Sequence, residues 1–285
     1  MTLHLRKAGP ADASAVGEIC YRAFKAIADE HRYPPDFPNS ELATTLLANL
    51  LGHERFYAVV AEVDGRIVGS NFLDLRNPIS GIGPVTVDPA IQNDGAGRAL
   101  MEAVMRESQE RKRPGIRLVQ AGYHTRSLAL YLKLGFQVRE QLVCLQGVPP
   151  GTSESAHPVR PATKDDLPAC TRLCLQVHGH DRSGELADAV AQGTAKVVER
   201  SGRVTGYATA VAFFGHAVGE SNTDLEALIS ASQSYLGPGF LVPTRNTELL
   251  QWCLRVGLRI VQTMTLMTIG LYNQPDGAWL PSVTY

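Results

Sequence analysis

The stretch Val85-Thr86-Val87-Asp88-Pro89-Ala90-Ile91-Gln92-Asn93-Asp94-Gly95-Ala96-Gly97-Arg98-Ala99-Leu100 decides how the rest of the chain is read. Val85 and Val87 are β-branched and flank Thr86, the alternation of a pleated, half-buried strand. Pro89 has no N–H to give to a ladder, so the strand ends there. Gly95 and Gly97 let the backbone turn and lie close against a ligand. A helix predicted over 97–113 then presents unpaired N–H groups and the positive end of its dipole. Strand, glycine loop and helix N-terminus together make an anion site, and phosphate is the anion that suits it.

Spacing narrows the phosphate ligand. No Gly-Lys-Ser/Thr follows the loop, and only two of the three glycines of a dinucleotide fingerprint are present. What remains is Gln92-x-x-Gly95-x-Gly97 behind Val87-Asp88-Pro89, which resembles the coenzyme A loop of the GCN5-related N-acetyltransferases. A second stretch, His124-Thr125-Arg126-Ser127-Leu128-Ala129-Leu130-Tyr131-Leu132-Lys133-Leu134-Gly135-Phe136, resembles that family's later signature, Asn-x-x-Ala-x-x-Leu-Tyr-x-Lys-x-Gly-Phe. Leu130, Tyr131, Lys133, Gly135 and Phe136 match; His124 stands for the asparagine and Ser127 for the alanine. Its residues read as a short helix with Leu128, Tyr131 and Leu132 on one face and Gly135 in a left-handed cap.

The resemblance covers residues 1 to about 147 and implies an α/β (α+β) fold, a mixed, mostly antiparallel central sheet flanked by helices. It implies acetyl-CoA as cosubstrate, its diphosphate on the loop amides and its pantetheine arm along the strand. The coenzyme-contacting positions carried over are Val85, Thr86, Val87, Gln92, Asn93, Asp94, Gly95, Ala96, Gly97, Arg98, Ala99, His124 and Ser127. Tyr131 occupies the general-acid position, and a backbone N–H near Val87 is the expected donor to the oxyanion. The reaction implied is direct attack on acetyl-CoA by a primary amine of a small molecule or peptide. An aliphatic amine of pKa ~10 is mostly protonated at pH 7, so a base is needed. Asp29, Glu30, His31, Glu62, Asp74 and a water chain are the candidates, and the sequence singles out none. A non-catalytic coenzyme A sensor or interaction module is the alternative reading, and a nucleotide-binding protein a third.

Taken in order, strands are expected at 3–6, 56–63, 67–75, 82–87, 116–121 and 136–145. A helix begins near Pro10, with Val16, Ile19, Cys20 and Phe24 at helical spacing. Three prolines and several acids make 28–41 an exposed loop, which in the resembling family borders the acceptor site. A second helix follows over 41–51, and Asp64-Gly65 is a hairpin signal.

A chain of 285 residues exceeds the usual single domain. Residues 148–157 have the composition of a linker, and the order of elements then restarts. Val159-Arg160-Pro161-Ala162 before Asp165-Asp166 echoes Leu5-Arg6-Lys7-Ala8 before Ala11-Asp12, and Gly202-Arg203-Val204-Thr205-Gly206 echoes Gly65-Arg66-Ile67-Val68-Gly69. Residues 246–258 echo the Tyr131 helix. We expect two tandem copies: 1–147 with the acetyl-CoA site and 158–285 degenerate. Glu220, Asp224 and Glu226 stand where the second copy would need a phosphate loop, so it should bind no coenzyme.

Composition is that of an ordinary globular chain, 44% apolar and 19% charged, and a net charge of −1 gives no bulk attraction to nucleic acid or membrane. No run approaches the ~18 apolar residues of a membrane span, and the first residues lack a signal-peptide pattern. Five scattered cysteines suit reduced thiols in a cytoplasm, with Cys170 and Cys174 as small core residues. His178-Gly179-His180-Asp181 has no common zinc spacing and reads as a helix-terminal polar loop, so no metal is expected. The oligomeric state is left open.

Overall fold

The computed structural model describes residues 2–92, 94–151 and 157–284, which fall into two units. The first comprises residues 2–118 and 124–136 with Thr284; the second comprises 119–123 and 137–283. Asn93 and residues 152–156, the latter inside the expected linker, lie outside the described residues.

In the first unit, β1 (Leu3–Lys7) pairs antiparallel with β2 (Phe56–Val63), from Leu3 opposite Val63 to Lys7 opposite Val59. β2 pairs antiparallel with β3 (Arg66–Asp74) around the expected hairpin. Asp64 (φ 49°) and Gly65 (φ 75°) are both left-handed, as a type I′ turn demands. Two helices, α1 (Ala13–His31) and α2 (Ser40–Gly52), bury Val16, Cys20, Ala43 and Leu47 against Ala58, Val60 and Phe72 of the sheet. At their crossing Gly17 faces Thr44 with no room for a Cβ, which would come within 2.2 Å of Oγ1.

Two expectations are corrected here. The loop expected over 28–41 is helical through His31, because the chain meets no breaker before Pro34 and Ala28 packs inward. Arg32, at φ 59°, ends α1 instead. The strand expected over 82–87 is two strands, β4 (Ser80–Ile82) and β5 (Thr86–Val87), separated by Gly83 and Pro84, whose ring nitrogen carries no donor. β4 pairs with β3 and, in parallel, with β6 (Gly115–Ala121) at Ser80 and Ile116; β5 pairs with β3 alone among the described residues. The inward side chain of β5 is Thr86, which shares a hydrogen bond with Ser70 at 3.2 Å, while Val85 and Val87 are only half-buried.

Gly95, at φ 84°, opens α3 (Ala96–Glu110), which buries Leu100, Met101 and Val104. The helix stops short of the expected 113, where Lys112 turns left-handed. α4 (Thr125–Lys133) buries Tyr131, but Leu132 is 50% exposed and is not part of that face. Gly135 follows at φ 94°.

The second unit holds β7 (Gln137–Gln146), β8 (Val159–Pro161), α5 (Leu167–His178), α6 (Ser183–Ala191), β9 (Lys196–Arg200), β10 (Arg203–Ala208), β11 (Ala217–Gly219), α7 (Asn222–Ser230), β12 (Phe240–Pro243), α8 (Thr247–Arg255), β13 (Arg259–Gly270) and β14 (Ala278–Leu280). β14-β11-β10-β9-β8 form one sheet, and β7 lies between β12 and β13. Gly237-Pro238-Gly239 leads into β12. All five cysteines are free and buried. His178 ends α5, and Asp181 accepts hydrogen bonds from the backbone N–H and hydroxyl of Ser183, each at 2.7 Å. Among the described residues no cluster could hold a metal, and no helix is long and apolar enough to cross a membrane.

The echo between halves has a physical content. Arg6 on β1 grips Asp12 with both terminal nitrogens, at 2.9 and 2.8 Å, and reaches Glu62 at 2.8 Å. Arg160 on β8 grips Asp166 twice at 2.8 Å and reaches Glu199 at 2.8 Å. Each arginine therefore ties a first strand to the first helical turn and to the neighbouring strand. The helices α4 and α8 are both nine residues long, with His124 and Asn246 at their N-caps and Gly135 and Gly257 just beyond their ends. In that alignment Cys253 stands where the first unit has Tyr131.

Candidate functional site

A cavity of about 540 Å³ lies within the first unit, bounded by α1, β5, the glycine loop with the start of α3, and α4. Its position follows from the break in the strand: β5 has no strand on its far edge among the described residues, so Thr86 and Val87 border open space. The N-terminus of α3 faces the same space through Gly95, Ala96, Gly97 and Arg98. At Gly97 an added Cβ would touch only Val87 Cγ2 at 3.7 Å and Leu130 Cδ2 at 3.9 Å, both from cavity-lining residues. The backbone is therefore bare on the cavity side, which is what close approach of a phosphate requires.

The loop is held in place from two directions. Asp88 caps the short turn at Pro89–Ile91 by accepting from Ala90 N–H at 3.1 Å. Its carboxylate also receives both terminal nitrogens of Arg22 on α1, at 3.1 and 3.0 Å. The Arg22 guanidinium holds the Asp88 carboxyl below the usual carboxylate range. Gln92 donates to the Val87 carbonyl at 3.2 Å, and its own side-chain oxygen accepts from Arg126. The glutamine of the loop thus joins β5 to α4.

Of the expected coenzyme-contacting residues, Val85, Thr86, Val87, Gln92, Gly95, Ala96, Gly97, Arg98, His124 and Ser127 line this one cavity. Asp94 and Ala99 do not line it, and Asn93 lies outside the described residues. The expected acid, Tyr131, lines it as well. Its hydroxyl makes no hydrogen bond among the described residues, and burial alone pushes its pKa up to about 12. Phe136 meets the ring edge-on at 6.1 Å between centroids.

Among the candidate bases, only Glu30 lines the cavity. Asp29 is paired with Lys25, Glu62 with Arg6, and Asp74 with Arg76 at 2.6 Å. His31 Nδ1 lies 3.0 Å from the Ile27 carbonyl. Sequence reasoning did not assign Arg126, Lys133, Phe24 or Ile27 to the site, yet all four line it. A helical reading of 28–31 would have found Glu30 and Ile27 together, three residues apart on one face of α1. Arg98, Arg126 and Lys133 line the cavity with Glu30; Arg98 is itself paired with Glu102 at 2.8 Å, which leaves Arg126 and Lys133 as the main source of a positive field suited to a phosphorylated ligand.

The corresponding feature of the second unit is closed. The first turn of α7 carries Asp224, fully buried, which accepts from Ser221 N–H at 3.0 Å, Ser221 Oγ at 2.9 Å and Thr205 Oγ1 at 2.6 Å. An internal carboxylate thus takes the donors that an anion would use. Glu220 is engaged by Arg200 and Arg203.

Residues 53–138 match the family model of the acetyltransferase (GNAT) domain. A mycothiol acetyltransferase from Tsukamurella paurometabola is 27% identical over 145 residues, which is 48% of this chain and 48% of that protein. The chain therefore spans about half the length of the curated relative it matches. A solved structure from Pyrococcus horikoshii assigned as an acetyltransferase superposes with a TM-score of 0.77 at 18% identity, over 96% of this chain and 91% of the other. A GCN5-related N-acetyltransferase from Sphaerobacter thermophilus gives 0.65 at 15% identity, over 97% of each chain. At these identities the two structures establish the fold: mixed, mostly antiparallel sheet with flanking helices, over the length of both units.

Proposed function

We propose that this chain, whose residues 53–138 belong to the GNAT acetyltransferase domain family, moves an acetyl group from acetyl-CoA to a primary amine of a small molecule or peptide. The observation that carries the reading is the meeting, around one cavity, of a bare helix N-terminus and a buried tyrosine whose hydroxyl makes no hydrogen bond among the described residues. In this reading the amides from Gly95 to Arg98 hold the diphosphate, and Arg126 and Lys133 are the main source of the positive field. The pantetheine arm runs along β5, and a backbone N–H near Val87 receives the oxyanion. Residues 1–147 form the catalytic copy, and 158–285 form a degenerate copy whose anion site Asp224 fills.

Tyr131 protonates the departing thiolate. A phenol held at about 12 keeps its proton at any ordinary pH. The departing thiolate takes that proton as the C–S bond breaks. Glu30, the acidic member of the lining, attracts a cationic acceptor to the α1 side. The test is thiol release from acetyl-CoA across a panel of primary amines. Turnover on at least one amine, with the acetylated product identified by mass, is expected. Saturable acetyl-CoA binding with no turnover on any amine would point to a coenzyme sensor.

A further inference from the structure

His124 occupies the N-cap of α4, the position from which a short polar side chain ordinarily accepts a backbone N–H of the first turn. Its imidazole makes no such bond. In the second unit the matching residue, Asn246, accepts from Leu249 N–H at 3.3 Å and exchanges hydrogen bonds with Asn222 at 3.0 and 2.8 Å. The first unit has thus given up a cap that the second retains. What it has in exchange is an imidazole lining the cavity that also holds Tyr131 and the α3 N-terminus. Nε2 of that ring is buried and has no hydrogen-bond partner. Burial, with the charges of Arg126 and His31, lowers the ring's pKa to about 4, and Glu30 opposes the shift. Arg126 on its own helix, and His31 and Glu30 on α1, are the charged groups that act on it. The ring is neutral at physiological pH; with the proton on the closed-off Nε2, the lone pair sits on Nδ1, the ring nitrogen that is not closed off.

We propose that His124 is a catalytic residue of the transfer, accepting the proton of the acceptor nitrogen as the amide bond forms. The proposal rests on the reading of the cavity as an N-acetyltransferase site. The amine lone pair bonds to the thioester carbonyl carbon, and the carbonyl π pair moves to oxygen. The nitrogen, now positive, releases a proton to the imidazole. The oxygen pair re-forms the carbonyl, the C–S bond breaks with its electrons on sulfur, and sulfur takes the proton of Tyr131 Oη. Imidazolium and phenolate remain, and a proton passing from the first to the second through water restores both. A weakly basic imidazole is enough, because an ammonium on a carbon bearing oxygen and sulfur is a far stronger acid than the free amine's. The resemblance alone would make His124 a coenzyme contact, and that assignment gives a different experimental result.

The experiment compares the intact chain with His124→Asn and His124→Ala, using acetyl-CoA and the best amine of the panel. Asparagine can cap α4 and is the residue the family signature carries. His124→Asn is expected to lower kcat by about a hundredfold or more while KM for acetyl-CoA stays within about twofold. Its melting temperature should rise, since the cap is restored. Added imidazole should recover part of the kcat lost in His124→Ala, saturably. An unchanged kcat in His124→Asn overturns the proposal. So does a rise in KM for acetyl-CoA with kcat intact, which would mark His124 as a coenzyme contact. If the unaltered chain turns over no amine, the N-acetyltransferase reading falls and this proposal with it. An active parent with an undiminished His124→Asn variant sinks this proposal alone.

Discussion

Replacing Gly97 by alanine separates the stability of α3 from its use as a ligand site. Gly97 is the second residue of the helix, with ordinary helical backbone, and its missing Cβ would meet neighbours no closer than 3.7 Å. The fold therefore accepts a methyl group there. Alanine is favoured over glycine by about 0.5–1 kcal/mol inside a helix, less in the first turn, so the variant should be more stable by about 0.5 kcal/mol. For a unit of this size that is a rise in Tm of about 1–2 °C. The methyl, however, stands on the surface where the diphosphate is proposed to lie against bare amides. Losing one charge-assisted hydrogen bond costs about 1.5–3 kcal/mol, which at 1.4 kcal/mol per tenfold raises KM for acetyl-CoA about 10- to 100-fold. The two readouts move in opposite directions: thermal melting of the free protein goes up, and saturation by acetyl-CoA in the thiol-release assay becomes poorer. Gly95→Ala behaves differently, because φ is 84° there and a side chain costs about 1–2 kcal/mol of backbone strain. A Gly97→Ala protein with raised Tm and KM within twofold of the parent would refute the diphosphate assignment, since the perturbation would be present and the ligand indifferent to it.

Tyr131→Phe should lower kcat by about a hundredfold while leaving acetyl-CoA affinity unchanged, as measured by steady-state kinetics and calorimetry; an unaffected kcat removes Tyr131 as the acid. Asp224→Ala strips a buried acceptor from three donors and should cost about 3–5 kcal/mol of stability. Calorimetric stoichiometry in that variant should stay at one acetyl-CoA per chain, and a value of two would mean that the second copy binds coenzyme after all. Asp12 and Asp166 are held below the usual carboxylate range chiefly by their hydrogen bonds to Arg6 and Arg160. Their contribution to stability is complete above the unfolded-state value of about 3.9 and is lost as pH falls below it through the depressed folded values. Denaturant titrations between pH 5 and pH 2 should show a shallower acid loss in Arg160→Met than in the parent, and equal slopes would show that the pair does not contribute.

How far the sequence reached can be seen residue by residue. Asp64-Gly65 needs two left-handed residues and supplies two that tolerate it, so the hairpin was legible from four positions of chain. The strand, glycine loop and helix from Val87 to Leu100 were legible for the same reason: each feature is set by the φ/ψ range of residues close in sequence. Leu132 was misplaced on the inner face because helical periodicity names a stripe but not its width. Residues 28–31 were assigned to a loop because the prolines after them weighed more than the helix-compatible residues before them, so nothing distinguished Glu30 from Asp29 and His31 as a lining residue.

The chain's local chemistry alone determined that a glycine turn opens a helix at Ala96 and that a tyrosine lies a fixed distance downstream on a second helix. Those properties depend on backbone conformation and on spacings within a few turns. Tertiary structure decided the rest. It set which of five candidate bases borders the cavity, which side of β5 is buried, that Gln92 bridges to Arg126, and that β7 lies between β12 and β13. These are pairings between residues tens to more than a hundred positions apart, selected by shape, burial and hydrogen-bond satisfaction across the assembled core, and no local pattern in a single chain encodes them.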